Sequence, residues 1–469
     1  MDFAQLKQLL EKHGQQQLIA FWNEISEDER ENLASQIQKI DFNRIDELIK
    51  EYVLKKPETD IPDDLTPAPF FPLIPDNEGL KSYYEVAKQT GADIIRQGKV
   101  ACLTVAGGQG TRLGFDGPKG TYPIGPVSGK SLFAYFAEGI ARNQEKYSTR
   151  IPWYIMTSVV NNAQTVEFFE QNNYFGLDKQ QVFFFVQGTM PAVGYDGKIL
   201  LASKSSLALS PDGHGGTLWA LRQSGALDKM KNEGTQFLSY FQVDNPLVAV
   251  VDPLFIGLHA LEKSQMSAIM LPKTGPFEKL GNFCVSKNRT CIIEYSDLPE
   301  SLAESRNPDG SLKFLAGSPA IHVISTSFIE KLTDNGKPAL PWHRADKKVP
   351  FVDSNGALIK PETPNAVKLE SFIFDALPLA EKTMILEADR NESFGPTKNA
   401  TGVDSAESCR EMLIARDKRR LKAANVDIAN AEKVEIAPRI AVCDEDVEEY
   451  CRKNNISSLA NMGREVYLK

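Results

Sequence analysis

A near-continuous apolar run, Val100 to Val105 (VACLTV), opens directly onto AGGQGTRLGFDGPKG, and no other stretch limits the possible folds so sharply. A strand without polar alternation is buried on both faces, which is the habit of parallel sheets covered by helices. Gly107, Gly108, Gly110 and Gly114 then let the backbone turn away, approach a ligand and aim amides at anionic oxygens. Arg112 and Lys119 add positive charge. The pattern predicts a parallel strand whose carboxyl end carries a loop built for a polyphosphate. An ordinary strand-to-helix turn would leave both cations and the extra glycines without a purpose.

Spacing separates this loop from two other phosphate motifs. A dinucleotide fingerprint needs G-x-G-x-x-G, but counting from Gly108 and Gly110 the third position is Leu113, and Gly114 comes one residue late. Downstream, Gly125-Pro126-Val127-Ser128-Gly129-Lys130-Ser131 nearly spells a Walker A loop, but only three residues separate its glycines where four are required. That segment reads as a turn leading into a helix that starts near Ser131.

From about residue 95 to 380, strand-like runs (Val100 to Val105, Trp153 to Thr157, Val182 to Val186, Leu238 to Val243, Ala268 to Leu271) alternate with helical patterns such as Asn162 to Gln171 and Thr217 to Gly225. This order predicts an α/β fold with a mixed, mainly parallel sheet and helices on both faces. Ligands of such sheets lie beyond the carboxyl ends of the strands, and Gly107, Gln187 and Asp244 each follow one of these runs. Before this region, residues 2 to 54 read as an amphipathic helical cap, with a capping box at Ser26 and Glu29. Prolines at 57, 62, 67, 69, 72 and 75 then mark an extended surface linker. After about 385 comes a smaller tail, with helices expected over Ala406 to Ala424 and Asp444 to Asn454 and a strand over Val434 to Val442. The organisation expected is therefore 1–95 cap and linker, 96–384 central region, and 385–469 small C-terminal domain.

A chain of 469 residues with 42% hydrophobic content can bury a sizeable core. With 53 basic against 62 acidic side chains the net charge is −9, which argues against a general nucleic-acid binder. The six cysteines form no CxxC pair, so reduced thiols in the cytoplasm are the simplest reading. No run approaches the roughly 20 apolar residues of a membrane span, and the amino terminus lacks the apolar core of a secretory signal, so no membrane partner is expected.

At AGGQGTRLG and the following PKG, the chain resembles the nucleotide-sugar pyrophosphorylases, the eukaryotic-type UDP-N-acetylglucosamine enzymes in particular. The resemblance continues in order through PWYIMTS (152–158), YFGL (174–177), DGKILL (196–201), VDNP with Asp244, EYSDL (294–298) and VPFVDSNGALIKPETPNAVKLESFIFD (349–375). It implies a Rossmann-like, GT-A-like nucleotidyltransferase that makes a UDP-sugar and pyrophosphate from UTP and a sugar 1-phosphate. Magnesium would be the cofactor.

Carried over by position, the resemblance sets Ala106, Gly107 and Gly108 against the nucleotide, Arg112 and Lys119 on the departing phosphates, and Asp244 on the metal. It gives Gln187 and Gly213 to the uracil edge, and Lys368 and Lys398 to the sugar phosphate and the reacting phosphate. Glu294 and Tyr295 would hold sugar hydroxyls. His214 and Ser318 depart from the pattern, since the eukaryotic-type enzymes carry asparagine at both places of the sugar pocket. The GHG context of His214 resembles UDP-glucose and broad-range UDP-sugar enzymes, so glucose or galactose 1-phosphate stays open beside N-acetylglucosamine 1-phosphate. A non-catalytic nucleotide-sugar-binding protein is a further alternative, opposed by the retention of Arg112, Lys119, Asp244, Lys368 and Lys398 together.

Overall fold

The computed structural model describes residues 2–57 and 61–469. Residues 58–60 of the expected linker and Met1 of the expected cap lie outside them. The chain forms two compact units that do not follow chain order: Met1–Asp60 with Gln187–Thr217 and Ala339–Asp375, and Ile61–Val186 with Leu218–Pro338 and Ala376–Lys469.

The larger unit is built on a mixed sheet. One half is parallel, in the order Val182–Val186, Trp153–Thr157, Val100–Val105, Phe237–Gln242. The chain leaves Val100–Val105 toward Trp153–Thr157 on one side, whereas Phe237–Gln242 pairs on the other. The order therefore reverses beside the Val100–Val105 strand, and a crevice opens at the carboxyl ends of such a reversal. The glycine loop and Asp244 both emerge there. Val100–Val105 has five of its six residues buried, in keeping with its apolar pattern. Trp153, Phe133, Phe136, Phe169 and Phe241 fill the core around these strands.

The other half was foreseen only in the run Ala268 to Leu271, which lies within Met266–Pro272. His322–Ser325 runs antiparallel between Phe237–Gln242 and Met266–Pro272, and Gly281–Ser286, Arg289–Ile293 and Ala316–Ser318 extend it as antiparallel strands. The proline-rich segment is not a free linker where it is described. Thr66–Pro67 forms a short edge strand paired with Gly281–Ser286, and the Phe71 amide donates to the Ile385 carbonyl at 2.9 Å. Proline is tolerated there because an edge strand needs ladder bonds on one side only. In the tail, helices Ala406–Ala423 and Asp444–Lys453 match expectation, but the strand is only Lys433–Ile436, paired in parallel with Glu465–Leu468.

In the smaller unit, helices Phe3–Lys12, Glu27–Gln38 and Phe42–Leu48 share one apolar core with Val193, Ile199, Leu201, Leu207, Val367 and Leu369. The expected capping box at Ser26 and Glu29 is formed. Buried Gln15 donates to the Gly197 carbonyl and accepts from the Ile199 amide, both at 2.9 Å. The DGKILL block thus serves as a dock for the amino-terminal segment. Ala366–Glu370 is the middle strand of a three-stranded sheet with His343–Lys347 and Val193–Gly194. Among the described residues no helix is long and apolar enough to cross a membrane. All six cysteines are free.

Candidate active site

In the larger unit the loop after Val100–Val105 is held from below by a side chain that sequence reasoning missed. Asn161 is fully buried, and its amide nitrogen donates to the carbonyls of Ala106 (2.9 Å) and Gly108 (3.1 Å) while its oxygen accepts from the Ser158 amide (2.8 Å). Acceptors on one side and a backbone donor on the other leave a single consistent orientation for the amide. Both carbonyls are thereby turned into the protein. Ala106 is buried, with its amide also taken by the Met156 carbonyl at 2.7 Å. Gly108 is exposed, and among the described residues its amide has no hydrogen-bond partner.

The glycines divide by what they do. A Cβ on Gly108 would meet no atom within 4 Å, so no neighbour demands glycine there and the open backbone is left for a ligand. A Cβ on Gly110 would lie 2.7 Å from Phe115, and Gly114 holds a left-handed turn at φ 68. Those two shape the loop, which corrects the expectation that all four glycines face a ligand.

Arg112 is exposed in the short turn Thr111–Leu113 and makes no ion pair among the described residues. Lys119 is anchored through its amide to the Gly108 carbonyl (3.1 Å), and its Nζ lies 3.2 Å from Asp244 Oδ2 with both side chains under one-fifth exposed. The Asp244 carbonyl in turn accepts from the Thr397 amide (2.9 Å) and hydroxyl (3.2 Å). Thr397 is fully buried and is the immediate neighbour of Lys398, whose Nζ rests over the Phe394 ring at 5.4 Å. Residues 119, 244 and 398 are thus gathered at the reversal point from three distant parts of the chain. Among the described residues no three His, Cys, Asp or Glu side chains assemble into a ready metal cage. Asp244 is a lone carboxylate, which suits an ion that takes most of its ligands from phosphate oxygens and water.

Glu294 and Ser318 come together elsewhere in the same unit. Ser318 is in register with Gly281, and Glu294 Oε1 would lie 3.6 Å from a Cβ on that glycine. Tyr295, beside them in sequence, is 43% exposed, so its ring is free to cover a ligand. Lys273, not singled out from sequence, is buried here, and its Nζ donates to Asn282 Oδ1 at 2.5 Å. Burial pushes its pKa down.

In the smaller unit, Gln187 Nε2 donates to the Gly213 carbonyl at 2.6 Å. Gly213 has φ 86, and a Cβ on it would lie 2.2 Å from the Ser371 carbonyl oxygen. Asp212 beside it is buried, with its acid pushed up to about 6 by burial. His214 Nδ1 accepts from the Ile373 amide at 3.1 Å, and its ring stacks on Phe372 at 5.4 Å between centroids. Burial, with His343 nearby, brings its pKa down to about 4, so the ring is neutral and Nε2 carries the proton. Lys368 is half-buried on Ala366–Glu370, opposite Ala345.

A family model described as UDPGP, UTP–glucose-1-phosphate uridylyltransferase, matches residues 47–462. The chain belongs to this uridylyltransferase family. Among its relatives, the UDP-N-acetylhexosamine pyrophosphorylase-like protein 1 of Xenopus tropicalis is 35% identical, over 96% of this chain and 94% of that protein. The UDP-N-acetylglucosamine pyrophosphorylase of Saccharomyces cerevisiae is 34% identical, over 95% and 96%. A solved structure, the uridine diphosphate N-acetylglucosamine pyrophosphorylase from Trypanosoma brucei in complex with inhibitor, superposes with a TM-score of 0.82 at 27% identity, over 98% of this chain and 97% of that one. The nucleotidyltransferase-type α/β fold expected from the resemblance is the one these uridylyltransferase relatives share.

Proposed function

We propose that this chain is a UTP:sugar-1-phosphate uridylyltransferase, with N-acetylglucosamine 1-phosphate as its acceptor. One observation carries the reading: at the sheet's reversal point, beside a glycine loop with an open amide, Lys119 pairs with Asp244, whose carbonyl is bound by Thr397, the neighbour of Lys398. A sugar-phosphate oxygen attacks the α-phosphorus of UTP, the new P–O bond forms, and the bond to the β-phosphate breaks to release pyrophosphate. Such a transfer needs positioning and charge neutralisation rather than a nucleophilic side chain. Lys119 and Arg112 neutralise the departing phosphates, and Lys398 the reacting one. Lys368 takes the sugar phosphate.

Asp244 is the residue that would hold magnesium. When bound, the ion spreads the charge that develops at the α-phosphate. Gln187 spends its Nε2 on the Gly213 carbonyl, so it offers Oε1 as an acceptor to the N3–H of uracil, a hydrogen that cytosine lacks. Ala106, Gly107 and Gly108 line the nucleotide. Glu294, Tyr295 and Ser318 in the larger unit are given to the sugar, and so is His214 in the smaller one. Within the proposal, residues 96–384 carry the nucleotidyltransferase region between cap and C-terminal domain. The cytoplasm is its compartment, in keeping with six free thiols.

The relatives named for N-acetylated sugars favour the N-acetylglucosamine acceptor. A second reading, glucose or galactose 1-phosphate, draws on His214. With Nδ1 committed to the Ile373 amide, this ring offers a ligand one donor, where an asparagine would offer a donor and an acceptor. The test is pyrophosphate release from UTP and magnesium with a panel of sugar 1-phosphates. Preference for unacetylated hexoses selects the second reading. Tight UDP-sugar binding without pyrophosphate release from any acceptor rejects both and leaves a binding protein.

A further inference from the structure

The segment between Lys119 and the helix Leu132–Tyr147 contains the loop that nearly spells a phosphate motif, Gly125 to Ser131, and this loop does hold an anion. The anion is the chain's own Glu435. Its carboxylate, fully buried, accepts from the amides of Val127 (2.8 Å) and Ser128 (2.7 Å), the Ser128 hydroxyl (2.6 Å) and the Tyr135 hydroxyl (2.6 Å). A Cβ on Gly125 would lie within 2.8 Å of both Ser128 Oγ and the Lys130 amide nitrogen and 3.0 Å from Glu435 Oε1, so the first glycine of the loop lets the loop close on itself and on this side chain together. Lys130, which a phosphate loop would aim at its ligand, is instead paired with Glu138 and rests over the Tyr467 ring. Glu435 and Tyr467 belong to the paired strands Lys433–Ile436 and Glu465–Leu468 of the tail.

A second jaw grips the same segment nearer to Lys119. Arg410, on the helix Ala406–Ala423, donates to the Pro123 carbonyl at 2.7 Å and stacks over the Tyr122 ring. The two jaws are one piece. Asp417 of that helix is buried and accepts from the Ile436 amide at 2.7 Å, next to Glu435. The helix also follows directly from the other lysine, because the Lys398 amide donates to the Asp404 carbonyl just before its amino-terminal cap, Ser405. The tail therefore connects the two ends of the candidate site, from Thr397 at Asp244 through the helix and back to the backbone beside Lys119.

We propose that the carboxy-terminal element is a clamp on the catalytic segment, with the Glu435 carboxylate seated in the Gly125–Ser131 amide nest and Arg410 on Pro123 holding Lys119 in register with Asp244 and Lys398. Glu435 is a positioning residue, since it acts through the backbone it holds. The kinetic part of this inference rests on the proposed uridylyltransferase activity, whereas the clamp itself does not.

The test compares the full-length protein with Glu435→Ala and Glu435→Gln, by amide hydrogen exchange and by kcat and KM for UTP. In Glu435→Ala, exchange across residues 119–131 should quicken roughly tenfold. kcat should fall roughly tenfold or more while KM for UTP moves less than about threefold, as expected when a reacting group is displaced rather than ground-state binding lost. Glu435→Gln, which keeps one acceptor, should fall between. Acetate, a small carboxylate able to enter the vacated nest, should restore part of both in the alanine variant and change nothing in the wild type. Unchanged exchange across 119–131 in Glu435→Ala would overturn the clamp. So would a loss of protection spread equally over the strands Val100–Val105 and Trp153–Thr157, which would make Glu435 a general stability residue. A wild-type protein that releases no pyrophosphate with any sugar 1-phosphate defeats the proposed function instead, and the exchange result then judges the clamp alone.

Discussion

Asn161→Ala should unsettle the phosphate loop without touching any group assigned to the chemistry. The side chain has no exposure and makes its bonds to three backbone groups, the carbonyls of Ala106 and Gly108 and the amide of Ser158, with the Ser158 hydroxyl at 3.1 Å as a fourth partner. Gly108 is exposed, and water can replace the bond to its carbonyl. The Ala106 carbonyl and the Ser158 amide belong to buried residues, and each buried group left unpaired costs about 1–3 kcal/mol. Allowing for partial relaxation, a loss of about 3 kcal/mol is expected. For a unit of about 340 residues this lowers the melting transition by roughly 4 °C, read as a shift of the larger unit's transition rather than as one two-state value.

The same Gly108 carbonyl also accepts the Lys119 amide, so a loop that slackens at Asn161 carries Lys119 with it. A displacement near 1 Å at a reacting group can lower turnover about 10²-fold. Asn161→Asp separates the two halves of the side chain's work: it keeps the oxygen that accepts from Ser158 and turns a second acceptor toward two carbonyls. Pyrophosphate release should then be as low in Asn161→Asp as in Asn161→Ala. Wild-type turnover in Asn161→Asp would refute the reasoning, because it would mean that the Ser158 turn matters and the grip on the loop carbonyls does not.

Three other outcomes are expected. Lys119→Ala should lower kcat by roughly 10²-fold or more with the fold retained by circular dichroism, since it removes a cation aimed at developing charge, and near wild-type turnover would count against its role. Gly108→Ala should leave the melting temperature unchanged and weaken UTP binding by calorimetry, whereas Gly110→Ala should cost about 1–3 kcal/mol of stability because its Cβ would lie 2.7 Å from the Phe115 ring and 3.0 Å from the Phe115 carbonyl oxygen; equal effects in the two variants would refute the division of the glycines. His214 has its pKa lowered from 6.5 to about 4, so the native state binds fewer protons than the unfolded one. Its contribution of up to about 3 kcal/mol is complete above pH 6.5 and is lost as pH falls toward 4. Urea titrations of His214→Asn should show a shallower acid limb than the wild type, with a residue of slope from His259, which burial lowers to about 3. Identical slopes would mean that His214 is not held neutral.

The parallel half of the sheet could be read from sequence because each of its strands is a nearly pure apolar run, and the glycine loop could be read because its chemistry is local. Of the antiparallel half only the apolar run within Met266–Pro272 could. Ala316–Ser318 and His322–Ser325 are three and four residues long, too short to carry a period, and take their place from partners far along the chain. Asn161 sits in VVNN after the Trp153–Thr157 strand, behind two exposed valines, and no local pattern marked it as the residue that holds the loop. Thr397 could be noticed only as the neighbour of Lys398. His214 was read as a pocket residue on its glycine context; its Nδ1 bond to the Ile373 amide depends on a segment more than 150 residues away, which no local pattern carries.

The near-miss at Gly125 to Ser131 explains why a motif can be half right. A loop of this composition turns consecutive amides inward whatever the number of residues between its glycines, so an anion is needed once it is buried. Here the Val127 and Ser128 amides meet a carboxylate, which is flat and brings only two oxygens. The sequence of the loop therefore predicts an anion without saying whose. The answer is in KVEI, where Glu435 stands between Val434 and Ile436 on a strand with three buried residues. A glutamate on a buried strand is costly unless several donors meet it. Asp446, also buried in the tail, is matched by two cations, Arg142 and Lys146; Glu435 is matched instead by two amides and two hydroxyls, in the segment that follows Lys119.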